Sequence, residues 1–92
     1  MAFSAILKEQ GDMGGNMKFR VYQLTDVQDD LTSILTVKGW REVIHAEANN
    51  ETDTDERIFA SITPATAGVA GNMVVFNCGT NDDNGYAFLI GR

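Results

Sequence analysis

The stretch "MKFRVYQL", residues 17–24, decides the fold: its β-branched and aromatic residues predict the first strand of a β domain. Working outward, similar short runs recur at 31–37, 41–48, 57–62, 72–78 and 86–90, each closed by a turn cluster. About six short strands at this spacing predict an all-β domain, a small β-sandwich or barrel. The chain has 92 residues, 43% hydrophobic and 22% charged, which suits one modest core and is too apolar for wholesale disorder.

On the N-terminal side, an apolar patch at 2–7 is followed by "GDMGGN", residues 11–16. Backbone entropy at Gly11, Gly14 and Gly15 argues against regular structure there. Residues 1–16 therefore read as a flexible N-terminal arm and 17–92 as the domain. No positive charge precedes the apolar patch and no small-residue cleavage pattern follows it, so a signal peptide is not expected. No apolar run approaches the roughly 18 residues of a membrane span. Three connections carry further expectations. "TDVQDDLTS", residues 25–33, allows a helical turn capped by Thr25 or Asp26. Asn84-Gly85 predicts a turn that pairs 72–78 with 86–90 as a hairpin. "TPATAGVAGN", residues 63–72, reads as a flexible connection.

Strand parity sorts core from surface. The expected inward sets are Phe19 and Val21; Ile44, Ala46 and Ala48; Ile58, Ala60 and Ile62; and Val74, Phe76 and Cys78. In "YAFLI", residues 86–90, Tyr86, Phe88 and Ile90 share one face, while Ala87 and Leu89 share the other. Both faces are apolar, which predicts that something covers the second. Phe59, Met73 and Val75 also fall on nominal outer faces.

Thirteen acidic against seven basic residues leave a net charge of −6, which argues against nucleic acid and anionic membrane as partners. Nine acids lie between Asp26 and Glu56, opposed there by Lys38 and Arg41 alone, marking a solvated face or one that meets a basic partner. Cys78 is the single cysteine, so no intrachain disulfide and no thiolate metal cluster can form. It shares a face with Val74 and Phe76 and reads as a small hydrophobe.

The densest polar run is "NNETDTDERIF", residues 49–59. Extended, it spaces Glu51, Asp53 and Asp55 about 6.6 Å apart, so they share a calcium ion only if the chain curls, and no glycine inside the run helps it to. A second oxygen-rich loop, 81–84, keeps a calcium module open as an alternative; a solvated hairpin loop is the favoured reading. His45, beside Arg41 and Glu47, reads as a surface imidazole. Trp40 reads as a core-edge residue, with a carbohydrate platform as the alternative. No catalytic constellation, no phosphate-cradling loop and no cofactor is expected, so the chain does not read as an enzyme.

The phrases "GWREVIHAEANNETDTDE", residues 39–56, and "NDDNGYAFLIGR", residues 81–92, resemble small β proteins of tailed bacteriophages encoded near virion genes, over about 17–92. The resemblance implies a virion structural protein, foremost a capsid decoration (cement) protein, an oligomer such as a trimer, that bridges capsid subunits and acts in the virion after assembly in the host cytoplasm. Its expected partner is the major capsid protein or another virion protein. A tail, neck or fibre component, or a monomeric calcium- or glycan-binding module, is the alternative. The expected interface comprises Phe3, Ile6, Leu7, Phe59, Tyr86, Phe88 and Ile90, with the arm ordering as it docks.

Overall fold

The computed structural model describes residues 3–52, 56–63, 71–79 and 82–92. Seven strands make two antiparallel sheets: β1 (Ser4–Gly14), β2 (Met17–Val27), β3 (Ser33–Thr36), β4 (Val43–Asn50), β5 (Phe59–Ile62), β6 (Met73–Asn77) and β7 (Asp83–Gly91). The larger sheet runs β1-β2-β7-β4 and the smaller β3-β6-β5. The fold is all-β and sandwich-like. Between the sheets lie Leu24, Val27, Leu35, Val37, Val74, Phe76, Ala87 and Leu89, all buried.

All six expected strands are present, and a seventh occupies the stretch expected to be an arm. β1 pairs with β2 from Ser4 opposite Thr25 to Gly14 opposite Met17. The glycines serve the turn of that hairpin instead of loosening the chain: Gly14 and Gly15 have φ of 103° and 59°, a region that side chains disfavour. β1 is hard to see in the sequence because most of its side chains are exposed; its place comes from backbone pairing, with Phe3 and Ala5 alone packing on the core.

The expected hairpin between 72–78 and 86–90 does not form. β6 is the central strand of the smaller sheet, while β7 is central in the larger. Asn84 and Gly85 lie inside β7, and the positive φ of that connection falls on Asp82, at 65°. β7 lies between β2 and β4, which pairs both of its backbone edges, while its two apolar sides become the core face and the outer face of the larger sheet.

No helical turn forms over 25–33. Thr25, Asp26 and Val27 continue β2 through an irregularity at which Asp26 takes φ 59°. Beyond them Ser33 Oγ accepts from the Gln28 amide at 2.9 Å, and the Thr32 amide donates to Asp30 Oδ1 at 3.2 Å. Side-chain acceptors here replace helical carbonyls. The Thr32 hydroxyl and amide hold the Asp30 carboxyl below its usual pKa. A group depressed in this way lends its contribution above the ordinary carboxylate range and loses it as pH falls through the folded value. Thr32→Val should return the Asp30 pKa upward towards that of a free aspartate, as read by NMR titration; an unmoved titration would remove the hydroxyl as its cause.

Two of the parity assignments are corrected. In β2 the inward side chains are Tyr22 and Leu24, and Phe19 and Val21 face outward. Both faces of this strand carry apolar residues, and Arg20 hides the inner one: its guanidinium lies 5.1 Å over the Trp40 ring and donates to the Lys38 carbonyl at 2.7 Å, capping the open end of the sandwich. In β4 the register slips between Val43 and His45. That bulge buries Val43 and turns Ile44 out to 47% exposure, leaving Ala46 and Ala48 packed on the core. Ile58, Val74, Phe76 and Cys78 are buried as parity predicts.

Candidate functional site

The pairing registers define the outer face of the larger sheet, because residues directly opposite one another on neighbouring strands point to the same side. Phe19 sits opposite Ile90, Val21 opposite Phe88 and Gln23 opposite Tyr86. The rings of Phe19 and Phe88 stack at 6.0 Å, inclined by 26°. On the β1 side Gly11 lies beside Phe19, Glu9 beside Val21 and Ile6 beside Gln23. Gly11 belongs there for space, since a Cβ on it would come within 2.7 Å of the Phe19 ring. On the β4 side His45 lies beside Ile90, Glu47 beside Phe88 and Asn49 beside Tyr86. The result is an apolar stripe two strands wide, flanked by a carboxylate on each side.

Phe19, Val21, Tyr86, Phe88 and Ile90 are each half-buried, and Ile6 is 52% exposed. Their burial comes from same-face neighbours, since the smaller sheet packs on the opposite side. The titratable side chains on its flanks are Glu9 on the β1 side and the exposed His45 and Glu47, 3.6 Å apart, on the β4 side. What the stripe offers is apolar and aromatic area to a second surface.

Four expected interface residues, Ile6, Tyr86, Phe88 and Ile90, share this face. The other three are elsewhere. Phe3 packs against Phe76 of the core, ring centres 6.1 Å apart. Leu7 lies opposite Tyr22 and so points to the other side of β1, 41% exposed. Phe59 is 56% exposed on the outside of the smaller sheet, with Ile34 of β3 across Val75. Phe19 and Val21, assigned to the core by parity, complete the stripe. The alternation of Tyr22 and Leu24 with Val21 and Phe19 makes β2 as two-sided as "YAFLI", and that signal would have found them.

No protein-family model, curated protein or solved structure matches the chain.

The polar loops read differently from the stripe. Asn50 Nδ2 donates to Asp83 Oδ2 at 2.7 Å, the Thr52 amide to Asn50 Oδ1 at 2.9 Å, and the Asn84 amide to Thr52 Oγ1 at 2.9 Å. The Asp26 amide donates to Asn84 Oδ1 at 3.0 Å. These side chains tie two loop ends together. Among the described residues no group of three or more His, Cys, Asp or Glu side chains is placed to hold a metal. Asp53, Asp55 and Asn81 of the calcium reading, and most of the connection at 63–72, lie outside the described residues. Trp40 is 5% exposed beneath Arg20 and presents no open face for a sugar. Cys78 is buried, its thiol 3.3 Å from the Val27 carbonyl oxygen.

Proposed function

We propose that this protein is a structural assembly module whose work is done by covering the outer face of its larger sheet with another chain. In the form implied by the sequence resemblance, it is a virion structural protein of a tailed phage, foremost a capsid decoration protein that bridges shell subunits. The observation that supports the reading is the stripe of Phe19, Val21, Tyr86, Phe88 and Ile90, which lies on the side of the sheet away from the core. Contiguous apolar patches of this kind mark interaction sites in folded domains, and aromatic residues at their centres carry most of the binding energy. Glu9 and Glu47, flanking Val21 and Phe88, favour a partner with basic residues bordering its own apolar strip.

The test is the composition of purified particles. Many copies per particle support a shell protein, a few or a dozen move it to the tail or neck, and none overturns the virion reading. For the surface itself, Phe88→Glu should weaken co-sedimentation with particles by at least about 30-fold, the cost of losing a central hot spot of roughly 2 kcal/mol. Its far-UV spectrum should keep the β signature. Undiminished co-sedimentation of Phe88→Glu would remove the stripe as the docking surface.

A further inference from the structure

The charges of the sandwich are sorted along the strands. β1 and β2 have eleven residues each, and at about 3.4 Å per residue they run about 37 Å, matching the longest extent of the molecule, 37 Å. At one end, where Lys18 pairs with Gly91 and the Arg41 amide donates to the Arg92 carbonyl, lie Lys18, Arg20, Lys38, Arg41 and Arg92. Asp12 and Glu42 are the acids among them, leaving three net positive charges. At the other end, where Val27 pairs with Asp83, lie the solvent-accessible carboxylates of Asp29, Asp30, Glu51, Glu56 and Asp82. The buried Asp26 and Asp83 add to these, and Arg57 is the base among them.

Each end also has a shape. At the acidic end Leu31 is held at φ 66°, a region that a branched apolar side chain rarely enters, with 61% of it exposed. The Asp30–Thr32 and Gln28–Ser33 hydrogen bonds on either side hold the loop in this form. The protein thus presents an apolar knob beside two carboxylates. At the basic end Asp12, Lys18, Gly39, Arg41, Glu42 and Arg92 line a hollow. The lining is more polar than apolar, and the methylene stems of its long bases supply apolar area for the knob.

We propose that the acidic end of one copy docks into the basic end of the next, with Leu31 seated in the hollow and Asp29 and Asp30 among Lys18, Arg41 and Lys38. The contact is heterologous, so copies add head to tail and close a ring or extend a row. The two shorter extents of the molecule, 28 and 19 Å, frame the end face. A footprint of that outline buries on the order of 1,000 Å² in total, the lower bound for a specific interface. The junction is therefore weak alone and salt-sensitive, and it is strengthened when copies are already concentrated on a common surface. The inference does not depend on what covers the sheet face.

Sedimentation velocity of the full chain over a concentration series tests it. Concentration-dependent association is expected at about 20 mM salt, weakened tenfold or more at about 500 mM. Two charge-reversed variants, Asp29→Lys with Glu51→Lys and Lys18→Glu with Arg41→Glu, should each sediment as monomers and should associate when mixed in equal amounts. Leu31→Asn, which tolerates the positive φ, should melt no lower than the parent and lose association. A monomer at every concentration and both salts overturns the proposal. So does association that survives high salt and all the end variants but disappears in Phe88→Glu, because that contact belongs to the sheet face.

Discussion

Phe76→Ala is expected to destabilise the fold by about 3–5 kcal/mol, the range for emptying a fully buried aromatic site. Phe76 is wholly buried in the central strand of the smaller sheet. Its neighbours across the ladder are Ser33 on β3 and Ala60 on β5. Small residues on both sides make room for the ring, and neither can swing in to fill the space it leaves. Phe3 is the one aromatic in ring contact with it, so the substitution also unseats the start of β1. Set against a total stability of roughly 5–15 kcal/mol for a small domain, this loss leaves little in reserve. Urea denaturation reads the effect as a lowered midpoint with an unchanged slope. Phe76→Leu, which keeps most of the volume, should fall well short of it. An alanine variant with the parent's midpoint would mean that the sandwich is not organised around this ring.

How far the sequence speaks depends on which physical signal each element leaves. The inward side of β6 is legible, though not its pairing, because Val74, Phe76 and Cys78 are all buried on one face, with half-buried Met73, Val75 and Asn77 on the other. β2 is legible as a strand but not in its orientation. Phe19 and Val21 carry as much hydrophobicity as Tyr22 and Leu24, and the side facing the smaller sheet is a tertiary choice that alternation leaves open. β1 is the reverse case: its eleven residues have almost no buried side chains, so its strand state is written in its pairing partner and in the turn that Gly14 and Gly15 permit. Ile44 shows the cost of one inserted residue, since a single bulge exchanges which of Val43 and Ile44 reaches the core. The candidate surface follows the same logic. Tyr86, Phe88 and Ile90 announce themselves by making β7 apolar on both sides, whereas Phe19 and Val21 wait on the orientation of β2. Leu31 left no trace at all, because φ at a single loop position is set by the hydrogen bonds around it.

Gly85→Ala is expected to be strongly damaging for a single added methyl, at the upper end of the roughly 1–3 kcal/mol typical of overpacking. Gly85 is not among the residues with positive φ, so conformational freedom is not what it supplies. It supplies room. In β7 it lies between Leu24 of β2 and Asn50 of β4, and a Cβ there would run into the Asn49 carbonyl oxygen and come within 3.1 Å of Ile58 Cδ1. The first obstacle is backbone, which has no rotamer to change, so β4 and β7 must separate. Their separation strains the Glu51 amide bond to the Asn84 carbonyl, 2.8 Å, and the Asn50–Asp83 bond that ties the same loop ends. Hydrogen exchange should therefore report lost protection at the Glu51 amide before the core of β2 is affected. Gly15→Asn is the matched control, at a positive-φ turn with nothing within 4 Å of an added Cβ, where asparagine is tolerated and the midpoint should barely move. Because Tyr86 and Phe88 follow Gly85 on the same strand, opening the β4–β7 seam also draws Glu47 and Asn49 away from the flank of the apolar stripe. Gly85→Ala should then lose particle binding along with stability, whereas Phe88→Glu loses binding alone; equal stability of Gly85→Ala and the parent would break the link between this seam and the surface above it.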